Sequence, residues 1–220
     1  MEIVNDENTS SGNERGQTEN SELRAMARAS LDGNWGLAIG TFVVFSLVVS
    51  AASFIPFGSL LITGPMSVGI ALFSINISRN ENAELGQIFH GFNKFGVALG
   101  AYILSAIFIF LWMLLLIIPG IIAALSYSMV NYIIADEEEI GVMDALNKSK
   151  AMMDGYKMKL FLLALSFIGW AILCILTAGI GFLWLIPYIQ VTVAKFYDDI
   201  KGEKHASFSS DDSILDDTVG

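Results

Sequence analysis

The chain has 220 residues, of which 54% are hydrophobic and only 15% charged, with a net charge of −10 and a mean hydropathy of +0.61. A soluble domain carries nearer a quarter charged residues, so the composition argues against an ordinary water-soluble fold. No Asp, Glu, Lys or Arg occurs in residues 33–78, 95–135 or 160–194.

Residues 1–20 are rich in Asn, Glu, Ser and Gly and read as a disordered acidic cytoplasmic tail. A signal peptide is not expected, because the first apolar stretch follows this polar head instead of a short basic region. Ser21 is a suitable N-cap, and Leu23, Met26, Ala27, Ser30 and Leu31 then recur at helical spacing on one face. Gly33 ends that run and Trp35 opens the first charge-free stretch.

At about 1.5 Å per residue, even the shortest of the three stretches would make a helix of roughly 50 Å, against a bilayer core of about 30 Å. Each is therefore expected to be two spans and a turn. Pro56 with Gly58, Pro119-Gly120, and Thr177 to Gly181 supply the turn signals. Between Leu99 and Ile118 lie thirteen Leu, Ile or Phe residues, which favour insertion by roughly 4 to 8 kcal/mol with no opposing charge. The third hairpin is short, so its flanking Lys157, Lys159 and Lys195 are expected to snorkel.

Before each hairpin lies a short amphipathic run. In the second, Leu85, Ile88, Phe89 and Phe92 follow i, i+3, i+4, i+7. In the third, the acids Asp136 to Glu139 read as a solvated helix start ahead of residues 140–154, whose apolar face is Met143, Leu146 and Met153. Leu23, Leu85 and Leu146 are spaced by 62 and 61, Trp35, Phe95 and Tyr156 by 60 and 61, and Pro65 and Pro187 by 122. A threefold internal repeat follows, with units of about 21–79, 82–137 and 138–199. Gly36 with Gly40, and Gly96 with Gly100, form G-x-x-x-G pairs that mark expected packing faces. Residues 201–220 read as a second disordered cytoplasmic tail.

The fold expected is thus all-α: a polytopic membrane protein over 21–200 with six transmembrane helices as three hairpins, each preceded by a cytoplasmic interfacial amphipathic helix. All twelve basic residues fall on the side of the termini and none in the opposite turns. The positive-inside rule places both termini in the cytoplasm. The acids share that side, so the net charge gives no reason to expect nucleic acid.

The segment containing Pro119-Gly120, Asp144-Ala145-Leu146, Ser149, Met153-Asp154-Gly155, Leu165 through Trp170, Thr177 through Gly181 and Pro187-Tyr188 resembles a bacterial family of integral membrane proteins. That family is catalogued as domain of unknown function nine hundred and seventy-five. The resemblance implies a multi-pass protein of the bacterial cytoplasmic membrane and supplies no catalytic residues. More loosely, the chain is similar to the membrane domain attached to some glycerophosphodiester phosphodiesterases, whose catalytic domain has no counterpart in these residues.

Chemistry is sparse. The expected spans hold no ionisable group of the kind that marks ion-coupled transport. His90 has no second His or Cys nearby, Cys174 reads as a small apolar filler, and no nucleotide, esterase or zinc motif occurs. No catalytic, cofactor or metal residue is assigned. Neutral polar groups cluster on the second helices of the hairpins, and Tyr127, Asn131, Tyr188 and Gln190 are the candidates for a small polar cavity. Interhelical hydrogen bonding explains the same residues. The expected function is a non-enzymatic scaffold or regulatory bundle that binds a partner protein or anionic lipid at its cytoplasmic face. The alternatives are a small permease or channel-like protein and, more remotely, a membrane enzyme acting on lipid.

Overall fold

The computed structural model describes residues 16–177 and 179–202. Most of both expected tails therefore lies outside the described residues. The described residues are all-helical, with no strand. In order they form α1 (Asn20–Leu31), α2 (Trp35–Ala52), α3 (Gly58–Ser78), a 3-10 segment Leu85–Lys94, α4 (Phe95–Leu115), α5 (Ile117–Tyr127), α6 (Val130–Asp136), α7 (Val142–Met152), α8 (Lys157–Leu176) and α9 (Phe182–Lys201). Five segments are long and apolar enough to cross a membrane: Trp35–Ala52, Gly58–Ser78, Leu85–Leu115, Ile117–Asp136 and Lys157–Leu176. That marks a membrane protein. α9 is as long as α8, but Lys195, Asp198, Asp199 and Lys201 crowd its last two turns.

The core is built on α3 and α9. α3 packs against α2, α4, α6, α9 and the 3-10 segment, and α9 also meets α1, α2 and α8. Nearly every residue of α3 from Gly64 onward is buried, as is α9 from Val191 to Ile200 apart from Val193. α4 and α8 instead turn wide apolar faces outward, including Phe110, Leu114, Ile172 and Leu176. Such surface is stable only in lipid, where helices satisfy their own backbone. α1 buries Leu23, Ala27, Ser30 and Leu31, four of the five residues on its expected apolar face.

Two breaks differ from expectation. Between α4 and α5 the chain turns at Leu116, which is extended at φ −161° and ψ 145°. Pro119 and Gly120 lie past the break, inside the first turn of α5. Proline is tolerated there because the first-turn N–H groups have no intrahelical acceptor. Gly120 serves packing, since a Cβ on it would sit 2.8 Å from Met113 Cα across the hairpin. The expected fourth span is itself divided, with α5 ending at Tyr127 and α6 starting at Val130.

The second amphipathic run forms a 3-10 segment instead of an α-helix, so its four apolar residues do not share a buried face. Ile88 is buried, whereas Leu85, Phe89 and Phe92 are exposed. The reason is a backbone-on-backbone crossing with α3. A Cβ on Gly69 would collide with Ile88 O, and one on Gly91 with Pro65 O. The expected packing glycines are not the ones used. Gly36, Gly40 and Gly96 meet nothing within 4 Å, and of the four only Gly100 is near a neighbour, Val142.

Candidate functional site

Ionisable groups converge where the ends of α3, α6 and α9 meet the start of α8. Arg79, the residue after α3, donates from Nη1 to Asp136 Oδ1 at 2.9 Å and from Nη2 to Asp198 Oδ1 at 2.8 Å. Asp136 also accepts from Tyr197 Oη at 2.9 Å and from Lys201 Nζ at 2.6 Å. Asp198 takes a further hydrogen bond from Ser78 Oγ at 3.0 Å, and Lys195 Nζ donates to Ser78 O. Beside this lies a second pair, with Lys159 Nζ donating to Asp199 Oδ2 at 2.7 Å and to Gly16 O at 2.8 Å. Residues 16–20, read on sequence as part of the tail, are thereby strapped to α8 and α9. Gly16 N donates to Asp199 O, and the Asn20 side chain donates to Lys159 O.

Burial of the Arg79 guanidinium works against its charge, but its hydrogen bonds to Asp198 and Asp136 outweigh that and hold its pKa above the ordinary arginine value. The guanidinium therefore stays charged at every pH below that value. Three sequence readings change here. Asp136 is a shared acceptor at the end of α6, not a solvated start of α7, which begins after Gly141. Glu137 pairs with Lys148, and only Glu138 and Glu139 of that run are exposed. Lys195 and Lys159 do not snorkel to water. They reach a carbonyl and a carboxylate within the protein.

Of the four cavity candidates, the structure brings Asn131 and Gln190 together. They line a cavity of about 230 Å³ between α2, α3, α6 and α9, with Ser46, Ser67 and Tyr132. Tyr132 Oη donates to Gln190 Oε1 at 2.9 Å. Tyr127 lies elsewhere, stacked on Phe108 with centroids 5.9 Å apart. Tyr188 faces the opposite side of α9, where its Oη donates to Arg24 O at 3.3 Å and its ring meets Phe167 edge-on. Tyr132, on α6 beyond the break, stands beside Gln190, whereas Tyr127, at the end of α5, does not.

A larger groove of about 420 Å³ opens on the Tyr188 side, between the α1–α2 corner and the α8–α9 hairpin. Its walls are Trp35, Trp170, Leu173 and Trp184, with Arg28 at one end and Thr177 at the other. Neither this groove nor Arg79, Asp198 and Asp199 were singled out on sequence. The available signal was position, since Arg79, Asp136, Lys159 and Lys195 are each the first charge bounding an apolar stretch. Among the described residues no group of three or more His, Cys, Asp or Glu is placed to hold a metal.

Residues 113–204 match the model of the family described as Protein of unknown function (DUF975), the family that the sequence resembles. No curated protein and no solved structure matches the chain. The matched region runs from the end of α4 through α9. It includes Asp136, Asp198 and Asp199 of the charged end, Asn131 and Gln190 of the small cavity, and Trp170 and Trp184 of the groove. Arg28, Trp35 and Arg79 lie before it.

Proposed function

We propose that the protein is a non-enzymatic scaffold or regulatory bundle of the bacterial cytoplasmic membrane, binding a partner protein or anionic lipid at its cytoplasmic face. The observation that carries this reading is the mutual pairing of the buried ionisable groups. Arg79, Asp136, Lys159, Asp198 and Asp199 are committed to one another at one end of the bundle. Proton relays and ion-coupled transport place such groups in the bundle interior or a water-filled cavity. Here they act as a clamp on helix ends, and a clamped end is a rigid surface for docking.

Six spans as three hairpins fit this arrangement. α9 has twenty residues, about 30 Å of helix, matching the bilayer core, and its charged side chains are paired or hydrogen-bonded at the end it shares with Arg79 and Asp136. A short element precedes each hairpin: α1, Leu85–Lys94 and α7. The turns at 53–57, Leu116 and 177–181 carry no charge, which supports cytoplasmic termini by the positive-inside rule. Single cysteines at Phe54, Leu116 and Ile180, all exposed, in a Cys174→Ala background test the threading. Each should react with an impermeant maleimide from outside only, and one that reacts only from inside overturns it.

One observation favours a permease as a second reading. The α5–α6 break lies beside the Asn131, Tyr132 and Gln190 cavity, and discontinuous spans beside polar sites recur in transporters. Proteoliposomes with the purified chain should pass glycerol and water no faster than empty vesicles. A faster flux abolished by Asn131→Leu or Gln190→Leu would replace the scaffold reading with this one.

A further inference from the structure

The groove between the α1–α2 corner and the α8–α9 hairpin differs chemically from the rest of the surface. Three of the four tryptophans in the chain, Trp35, Trp170 and Trp184, line it. The fourth, Trp112, is on the outer face of α4. Among the described residues no acidic side chain lines the groove, and Arg28 is the one charged residue that does.

Arg28 differs from the cations nearby. Arg79, Lys159 and Lys201 are each held by a carboxylate, and Lys195 by the Ser78 carbonyl. Arg28 is exposed and has no acidic partner among the described residues. Arg24, one turn earlier on α1, sits close by, because Tyr188 of the groove donates to its carbonyl. α1 itself lies at the charged end of the bundle, with Asn20 hydrogen-bonded to Lys159 O and Ser30 to Ser78 O. The cation is therefore near the charged end of the bundle. The groove leads from it, past the tryptophans, towards Thr177 and Gly181 at the far turn.

An occupant must then carry an anion at one end and a long apolar body at the other. Charge and size together narrow the contenders. The groove holds about 420 Å³, within the range of about 300–1,000 Å³ usual for small-ligand sites. A single acyl chain fits that volume, and its lipid brings an anion to Arg28, which a wholly apolar helix face would leave unpaired.

We propose that this groove binds one anionic phospholipid, with its phosphate at Arg28 and one acyl chain against Trp35, Trp170 and Trp184. The inference rests on the cytoplasmic placement of the charged end argued above and names the ligand class for that face.

The tryptophans provide the readout. The full chain with Trp112→Phe is reconstituted into phosphatidylcholine vesicles containing equal mole fractions of either brominated phosphatidylglycerol or brominated phosphatidylcholine. Bromine on the acyl chain quenches indole fluorescence on contact. The anionic lipid should be preferred about fivefold, the size expected of one basic side chain at an anionic lipid surface. Arg28→Gln should bring the ratio to one, and Arg28→Lys should keep most of it. Equal quenching by the two lipids in the parent protein would mean ordinary boundary lipid only. A preference surviving in Arg28→Gln would place the recognition elsewhere. Quenching by neither would mean that protein fills the groove. Each of these three results overturns the proposal. None bears on the flux and labelling measurements, so failure of the groove and failure of the bundle reading remain distinguishable.

Discussion

Arg79 holds two acids at once, and that double contact decides how its neighbours respond to mutation. The Asp198 side chain is only 3% exposed and that of Arg79 22%, so removing either leaves a charge with little water to compensate it. Asp198→Ala should cost about 3 kcal/mol, the lower end of the range for breaking a buried pair, read as a shift in the unfolding midpoint in mixed micelles. Combined with Arg79→Ala it should cost less than the sum, because the Arg79–Asp198 contact can be lost only once. The glycines give a second contrast at this scale. Gly69→Ala and Gly91→Ala force a methyl onto a backbone carbonyl and should each destabilise by about 1–3 kcal/mol. Gly36→Ala and Gly40→Ala meet open space and should change stability by no more than about 0.5 kcal/mol. If the second pair proves as damaging as the first, helices other than those described here approach at α2.

Among the elements, α5 shows how position governs the effect of a proline. Pro119 is the third residue of α5, where a missing N–H breaks no intrahelical bond. Pro119→Ala should therefore leave the unfolding midpoint unchanged within about 0.5 kcal/mol, although its dipeptide resembles a turn. Gly120→Leu should not be tolerated, because Met113 occupies the space a side chain needs. The turn belongs to Leu116, which ends α4 in an extended conformation with no turn residue to announce it. The 3-10 segment makes the same point. Its apolar spacing is helical, but the close crossing of Gly69 and Gly91 sets its path, and Phe89 and Phe92 are left to pack on each other and on Phe95 at the surface.

Across the whole molecule, burial is concentrated in α3 and α9 and thins towards α4 and α8. Local opening is least costly where few buried contacts are lost. Amide exchange in detergent should accordingly be slowest over 66–78 and 191–200 and fastest around 108–118, where α4 and the start of α5 expose most of their side chains. Uniform protection across all the helices would contradict this ordering. The clamp at the charged end supports the same picture. It joins the ends of α3, α6 and α9 directly, and ties in α8 through Lys159.

Much of this was legible in the residue order. Long uncharged stretches demand lipid and helix, because a bare backbone in hydrocarbon has no other partner. Their lengths and the breakers at Pro56 and Thr177 located two of the turns, and the apolar spacing of α1 named the face it buries. Those are local quantities, fixed by neighbours in the chain. What the tertiary structure decided was partnership: Arg79 with Asp198 across 119 residues, Gly69 against Ile88, Tyr132 in place of Tyr127 beside Gln190, and three distant tryptophans along one groove. Each depends on how helices rotate and cross. A helix such as α3, buried on nearly every side from Gly64 onward, is not told by its own sequence which neighbour each face will meet, so only packing could set it.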